Sequence, residues 1–233
     1  TNPTALFIQP DHYIFRMLYS QGVSLESLGI PDVDGKQSAD PREVWRIFAK
    51  HYYLFRGTPT RLWLDYTFQN QFGLTERLDP GNADACYDVI AKKLETPEFR
   101  PRALFDSFHI EVLSTTDTPL DTLEFHQAIK ASGWKGRVLP TFRPDSVIDA
   151  EYKGFLDNIQ KLGEITGEDV GRFQGYLNAL RNRRAFFKSM GATATDHGHL
   201  TAQTADLDTA AAESLYGRIL SGRSTTEEQR LFQ

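Results

Sequence analysis

From residue 105 onward the sequence alternates between short apolar runs and longer segments in which apolar residues recur at helical spacing. The short runs are "FHIEVLSTTDTP", "GRVLPTFRPD" and "GATATDHGH". Strands that alternate with helices in this way are typical of βα units, in which the strands are parallel. We therefore predict an α/β region over 105–233 with about three parallel strands.

Each of these runs ends in polar residues, namely "STTDTP", "TFRPD" and "TDHGH". In parallel sheets and barrels, functional groups collect where the strands end, at the carboxyl edge. We therefore expect the polar ends to lie together and to form a site.

The segment before residue 105 has a different pattern, because apolar residues recur there at helical spacing throughout. The clearest helix is "DPREVWRIFAKHYYLF", with Asp40 as its N-cap and Pro41 in its first turn. The proline-containing segment "ETPEFRPRALF" separates the two patterns. The sequence thus predicts a helical region over 1–104 and a βα region over 105–233.

Composition limits the partners and the compartment of the protein. A net charge of −5 argues against nucleic-acid binding, which requires a basic surface. The single cysteine, Cys86, has a core position in a helical pattern and fits a reducing compartment. No apolar run approaches the roughly 20 residues that span a bilayer, and no signal peptide opens the sequence. We expect a cytoplasmic protein with no membrane partner.

The stretch "TDHGH" has two interpretations. His197 and His199 are two residues apart, so on a strand they would point the same way and could form a metal pair. Alternatively the stretch is a polar loop that caps a helix. Its place at a strand end makes Asp196 and His197 candidates for acid–base chemistry, and Gly198 would allow a ligand to approach the backbone closely.

Arg143 lies between two prolines at another strand end, in "LPTFRPD". A rigidly held arginine is suited to binding a carboxylate or a phosphate through two parallel hydrogen bonds. The alternative is an ion pair with Asp145 or another acid of the loop.

His12 and Tyr13, in "PDHYIFRML", are candidates for proton transfer. The alternative is structural: Asp11 caps the helix, and both side chains pack in its first turn.

Several separated segments resemble the uronate isomerases, the glucuronate isomerase family, a branch of the metal-dependent amidohydrolase superfamily. The matching segments are "DHYIFRML", "RGTPTRLWLDYTFQNQFGL", "RPRALFDSFHIEVLSTTDTPLDTLEFHQAI", "GRVLPTFRPD" and "RRAFFKSMGATATDHGH". The resemblance implies a (β/α)8 barrel of the TIM type with a large helical insertion after its first strand. It also implies isomerisation of D-glucuronate to D-fructuronate and of D-galacturonate to D-tagaturonate, through an enediol.

The resemblance assigns roles to the candidate residues. His12 and Tyr13 would line the substrate site from the inserted region. Arg143 would bind the sugar acid, as would His199, while Asp196 and His197 would be catalytic candidates at the barrel mouth.

The chain departs from the family pattern in its metal site. The family holds zinc with a His-x-His pair on the first barrel strand and an aspartate on the last, and neither segment occurs here. An ordinary barrel alone takes about 250 residues. We therefore expect a fragment with a partial barrel, whose zinc ligands lie outside this chain and which is inactive alone, from a parent isomerase.

Two other functions remain open. One is a hydrolase of the amidohydrolase type, acting on a lactone, ester or amide; the other is a non-catalytic interaction module. An incomplete barrel would expose strand edges and apolar surface, so we also expect self-association into a homo-oligomer.

Overall fold

A computed structural model gives the structure of residues 1–31, 39–198 and 204–233. By its internal contacts the chain divides into two units, Thr1–Phe108 and His109–Gln233. The sequence pattern predicted a boundary a few residues earlier, after residue 104. Within the ranges given above, no helix is long and apolar enough to cross a membrane.

Several helices of the first unit begin at side-chain caps. The Asp40 carboxylate accepts a hydrogen bond from the Arg42 amide at 2.9 Å, as the sequence predicted for the N-cap of this helix. The Thr58 hydroxyl caps the next helix by accepting from the Arg61 amide at 3.2 Å. The helices are α1 (Pro3–Phe7), α2 (His12–Tyr19), α3 (Pro41–His51), α4 (Pro59–Asn70), α5 (Ala83–Leu94) and α6 (Pro101–Ser107), with 3-10 turns at Glu26–Leu28, Tyr52–Phe55 and Pro97–Phe99.

Aromatic packing around Trp45 holds the first unit together. Trp45 is fully buried, and its indole N–H donates to the Ala83 carbonyl at 2.9 Å, which ties α3 to α5. The rings of Phe48, Phe68 and Tyr87 lie 5.6, 6.0 and 6.1 Å from the Trp45 ring. Rings at such distances attract one another beyond the effect of their burial. Cys86 is buried beside this cluster, which confirms its predicted place in the core.

The second unit contains the predicted parallel βα units. Strand β1 (Leu113–Asp117) and strand β2 (Val138–Phe142) pair in parallel, and Asp117 lies opposite Phe142 at the end of the register. Helix α7 (Glu124–Ala131) connects the two strands, and Gly133 ends this helical segment with φ of 73°, as expected for a glycine stop. The remaining helices are α8 (Asp145–Ile148), α9 (Phe155–Thr166), α10 (Phe173–Ser189), α11 (Thr209–Leu220) and α12 (Thr226–Phe232).

The number and the extent of the predicted strands were wrong. The first run becomes a strand only at Leu113, because α6 extends to Ser107 and His109 adopts φ of 52°, which is incompatible with a strand. The predicted third strand is reduced to a single parallel bridge between Thr195 and Phe142. Its extension is prevented because the Gly198 amide donates to the Asp145 side chain instead of to a neighbouring strand. The described part of the chain therefore contains two strands and one bridge.

The sheet has two chemically different faces. Side chains that are paired in a parallel register point the same way, so Asp117 shares a face with Phe142. We call this the helix face, because Phe142 is buried there with its ring 5.1 Å from that of Phe187 in α10. The opposite side, the open face, carries Thr116 and Thr141.

A buried arginine holds the loop that follows β1. Arg183 of α10 is 7% exposed, and its guanidinium donates to two carbonyl oxygens, that of Pro119 at 2.6 Å and that of Asp121 at 2.8 Å. The guanidinium also lies 4.4 Å from the centre of the Phe186 ring. Arg183 therefore fixes the backbone just beyond the end of β1.

We predict that Arg183→Met lowers the free energy of unfolding by about 1–3 kcal/mol, because two carbonyl groups lose their donor. Chemical denaturation of the two variants Arg183→Met and Arg184→Met measures the difference. Arg184 is the adjacent, exposed arginine of the same helix and serves as the matched control. Equal losses in both variants would contradict the assigned role of the buried guanidinium.

Candidate functional site

The open face brings Arg143 and Asp196 together. Phe142 and Thr195 form the parallel bridge on the helix face, so the residue after each of them points to the other side. Nη1 of Arg143 accordingly lies 3.3 Å from Oδ2 of Asp196. The Arg143 amide donates to the Asp117 carbonyl at 2.9 Å, and the Asp196 amide donates to the Phe142 carbonyl at 3.1 Å. Polar residues from the predicted strand ends therefore do lie side by side.

Asp145, the first residue of α8, links the parts of this cluster. Its Oδ2 accepts a hydrogen bond from Nε of Arg143 at 2.5 Å, and its Oδ1 accepts one from the Gly198 amide at 3.0 Å. Nδ1 of His197 lies 3.9 Å from the same Oδ1. From the sequence, Asp145 was expected only as an alternative ion-pair partner of Arg143. The structure contains that ion pair, yet Arg143 remains 40% exposed and Nη1 faces Asp196.

The hydrogen bonds to Asp145 determine its charge state. Burial by itself would raise the pKa of this carboxyl group. The hydrogen bonds from the Gly198 amide and the Arg143 guanidinium outweigh that effect, so the pKa of Asp145 is lowered. The bond to Asp145 in turn raises the pKa of Arg143. An ionised carboxylate therefore holds a charged guanidinium at neutral pH.

Gly198 provides room for the arginine. A Cβ atom at this position would lie 2.9 Å from Nη2 of Arg143 and 3.4 Å from Oδ2 of Asp145. From the sequence, we expected this glycine to allow a ligand to approach the backbone. In the structure the group that approaches is the side chain of Arg143, which could not keep its position beside a larger residue.

His12 and Tyr13 lie in the first unit, at the start of α2. The Asp11 carboxylate caps this helix by accepting from the Tyr13 amide at 2.9 Å, so the capping interpretation of the motif is confirmed. The same interpretation expected the Tyr13 side chain to pack in the first turn of the helix. It does not pack there, because it is 68% exposed. The two rings lie 4.2 Å apart, and both residues are accessible to solvent.

The predicted histidine pair is described only in part. His197 is exposed near Asp145, whereas His199 lies outside the described residues, so its role stays a prediction. Among the residues whose positions are given, no group of three or more His, Cys, Asp or Glu side chains could hold a metal ion. The described side chains therefore do not fit a zinc site.

A polar cluster on the helix face was not predicted from the sequence. His126 of α7 is only 9% exposed, and its Nε2 lies 2.8 Å from the Thr115 hydroxyl. That hydroxyl also lies 2.6 Å from Oδ2 of Asp117. The signal in the sequence was weak: a Thr-x-Asp spacing that places both side chains on one face of a strand, and a histidine in the following helix.

Comparison with known proteins shows one consistent similarity. The family model described as glucuronate isomerase matches residues 1–233. A uronate isomerase of Rhizorhabdus wittichii is 57% identical over 230 residues, which is 99% of this chain and 48% of that protein.

Solved structures agree with the sequence matches. The crystal structure of glucuronate isomerase from Caulobacter crescentus has a TM-score of 0.96 at 49% identity, covering 100% of this chain and 48% of that one. The uronate isomerase structure from Thermotoga maritima has a TM-score of 0.83 at 31% identity, over 94% of this chain and 47% of that one. The chain thus spans about half the length of the relatives that it matches.

We predict that Asp145→Asn lowers the free energy of unfolding at pH 7 by about 1–3 kcal/mol, because charge-assisted hydrogen bonds from Gly198 and Arg143 are weakened. The folded-state pKa of Asp145 is lowered, so its contribution is present above the unfolded pKa of about 4 and is lost as the pH falls through the folded value.

Denaturation midpoints measured from pH 7 to pH 2 should therefore converge for Asp145→Asn and the unsubstituted chain at acidic pH. Asp157→Asn, an exposed carboxylate in the first turn of α9, is the control. A constant difference between the Asp145 variant and the unsubstituted chain at every pH would contradict the assignment.

Proposed function

The chain belongs to the glucuronate isomerase family, and we propose that the whole protein converts D-glucuronate to D-fructuronate and D-galacturonate to D-tagaturonate. The family match over the entire chain supports this reaction. The observation that carries the proposal is the exposed, charged guanidinium of Arg143, held beside Asp196 where the parallel strands end. A sugar acid offers the carboxylate that such a group binds.

The reaction defines what the site must supply. Moving the carbonyl group of an open-chain sugar from C1 to C2 proceeds through an enediol. A base removes the proton on the carbon next to the carbonyl, a fixed donor stabilises the oxyanion, and the proton returns one carbon away. A separate anchor is needed for the carboxylate at the far end of the substrate.

We assign Arg143 as this anchor. Nε is already committed to Asp145, which fixes the plane of the guanidinium, while Nη1 faces the open side of the sheet near Asp196. A substrate carboxylate that approached the open face would meet the terminal nitrogens of a guanidinium whose orientation is set in advance.

Four residues are candidates for acid–base chemistry, namely Asp196, His197, Tyr13 and His12. A carboxylate and an imidazole can each accept a proton, so we propose Asp196 and His197 for proton transfer, with Tyr13 as a phenolic donor and His12 beside it. The exposure of Tyr13 and its ring contact with His12 support access to a ligand. We further propose His199 as a substrate-binding residue.

We propose that the second unit is part of a TIM-type barrel, that the first unit is an insertion into it, and that the family is a branch of the amidohydrolase superfamily. The parallel pairing of β1 with β2 and the bridge at Thr195 support the barrel. Zinc would be bound by residues outside this chain, and the steps proposed for Arg143 and Tyr13 do not depend on it.

We also propose a cytoplasmic location, with which the free, buried Cys86 agrees, and self-association of the protein. The exposed apolar side chains of α4 support association, since Leu62, Trp63 and Tyr66 are 75%, 56% and 61% exposed.

An assay of the full-length protein with D-glucuronate tests the proposed reaction. We expect the ketose D-fructuronate to form, detected by NMR. Opening of a sugar lactone without formation of ketose would instead indicate a hydrolase and would overturn the proposal.

We predict that Arg143→Ala raises KM for D-glucuronate by roughly ten- to a hundredfold, because a charge-assisted contact of about 1.5–3 kcal/mol is lost. The inhibition constant of an uncharged aldose should change far less. Arg184→Ala is the control, since Arg184 is an exposed arginine of α10. Equal effects on the acid and on the uncharged sugar would remove the anchoring role from Arg143.

We predict that Tyr13→Phe lowers kcat by about a hundredfold, which is the usual contribution of a proton-transfer group. The melting temperature should not change, because the side chain is exposed. Tyr19→Phe, at the end of the same helix and 59% exposed, is the matched control. Unchanged turnover of the Tyr13 variant would exclude this phenol from proton transfer.

A further inference from the structure

The polar cluster on the helix face is the feature that the proposed chemistry leaves unused. The Thr115 hydroxyl lies 2.6 Å from Oδ2 of Asp117, 2.8 Å from Nε2 of His126 and 3.4 Å from the Leu139 carbonyl oxygen. The cluster is nearly closed to solvent, since the side chains of His126 and Asp117 are 9% and 13% exposed. It therefore joins α7 to the end of β1 through buried hydrogen bonds.

The direction of these hydrogen bonds follows from the groups themselves. The single hydroxyl hydrogen of Thr115 is donated to Oδ2 of Asp117. The oxygen of the same hydroxyl then accepts from Nε2–H of His126. The order His126 to Thr115 to Asp117 fixes the histidine tautomer and leaves the carboxylate in one place.

Stability alone does not explain a buried polar cluster of this kind. Replacing hydrogen-bonded partners with apolar groups of the same shape is often neutral or stabilising. Apolar side chains already fill the neighbouring positions on the helix face, where Phe142 packs against Phe187. A fully bonded polar network, in contrast, allows only one arrangement of its members.

The backbone connects this network to the site. The main-chain carbonyl of Asp117 accepts the hydrogen bond from the Arg143 amide at 2.9 Å, at the point where the chain leaves β2. Asp117 lies on the helix face and Arg143 points to the open face, so the network does not touch a ligand bound at Arg143. Beyond Asp117, the buried Arg183 fixes the next turn through the Pro119 and Asp121 carbonyls.

We propose that Thr115, Asp117 and His126 are positioning residues, which hold the backbone of Arg143 and so determine where its guanidinium lies. The effect on sugar-acid binding rests on the proposed function, whereas the effect on the backbone does not. Loss of the hydroxyl of Thr115 should therefore loosen the Arg143 amide whether or not the protein is an isomerase.

The first experiment measures hydrogen exchange of the Arg143 amide by NMR in this chain. We expect Thr115→Val to increase the exchange rate by roughly tenfold, because the carbonyl that accepts this amide is held less firmly. Thr115→Ser keeps the hydroxyl and should restore protection. Thr122→Val makes the same chemical change at an exposed position and is the control. Unchanged exchange at Arg143 in Thr115→Val would overturn the proposal.

A second pair of variants makes the test independent of how well Thr115→Val folds. His126→Gln keeps an N–H donor close to the position of Nε2, whereas His126→Leu removes it. We expect protection of the Arg143 amide in the glutamine variant and loss of protection in the leucine variant. Equal exchange rates in both variants would contradict the role of His126.

The second experiment uses D-glucuronate and the full-length protein. Thr115→Val should raise KM by roughly tenfold and change kcat by less than about twofold, because only the anchor is displaced. In an Arg143→Ala background, Thr115→Val should have no further effect on KM, because Thr115 acts on binding only through the side chain of Arg143. Additive effects would overturn the proposal. If the unsubstituted protein forms no ketose, the proposed function fails, and the exchange rates alone decide the positioning role.

Discussion

The hydrogen bond between the Arg143 amide and the Asp117 carbonyl is the contact on which the arrangement of the site depends. It continues the parallel ladder one residue past β2 and determines which way the chain turns afterwards. Because the next side chain must point away from the helices, the guanidinium reaches the open face. Asp145 then follows at the start of α8, where its carboxylate accepts a hydrogen bond from that guanidinium. A slip of one residue in the register would send Arg143 into the packed side of the sheet.

Electrostatic contacts then fix the position of the Arg143 side chain. Asp145 accepts from a guanidinium and from the amide of Gly198, so one carboxylate ties the end of β2 to the segment after the Thr195 bridge. The absence of a side chain at Gly198 leaves space for the terminal nitrogen of Arg143. Fixing a long, flexible side chain before a ligand arrives reduces the entropy that binding would otherwise cost.

Much of this organisation could be predicted from local patterns. Asp40 was recognisable as a helix cap, and the alternation of apolar runs with helices indicated parallel strands. The extent of the strands could not be predicted, because the third run is shortened by a tertiary contact, the bond from Gly198 to Asp145. His126 was missed for the same kind of reason: a histidine inside a helical pattern shows its hydrogen-bond partner only when the adjacent strand is in place. The sequence placed Arg143 and Asp196 at strand ends and offered Asp145 as an ion-pair partner of Arg143, but it gave no sign that Asp145 also accepts from the Gly198 amide.

The two faces of the sheet differ in what a substitution would disturb. Ser114 and Thr116, on the open face, are exposed in the described part of this chain, so replacing them leaves the contacts of the helix face in place. On the helix face, Phe142 packs against Phe187 of α10 and the Thr115 hydroxyl bonds to His126 of α7. Mutations at these positions would therefore disturb the packing between the sheet and its helices. Substitutions on the open face should therefore change the surface beside Arg143 while the contacts of the helix face stay in place.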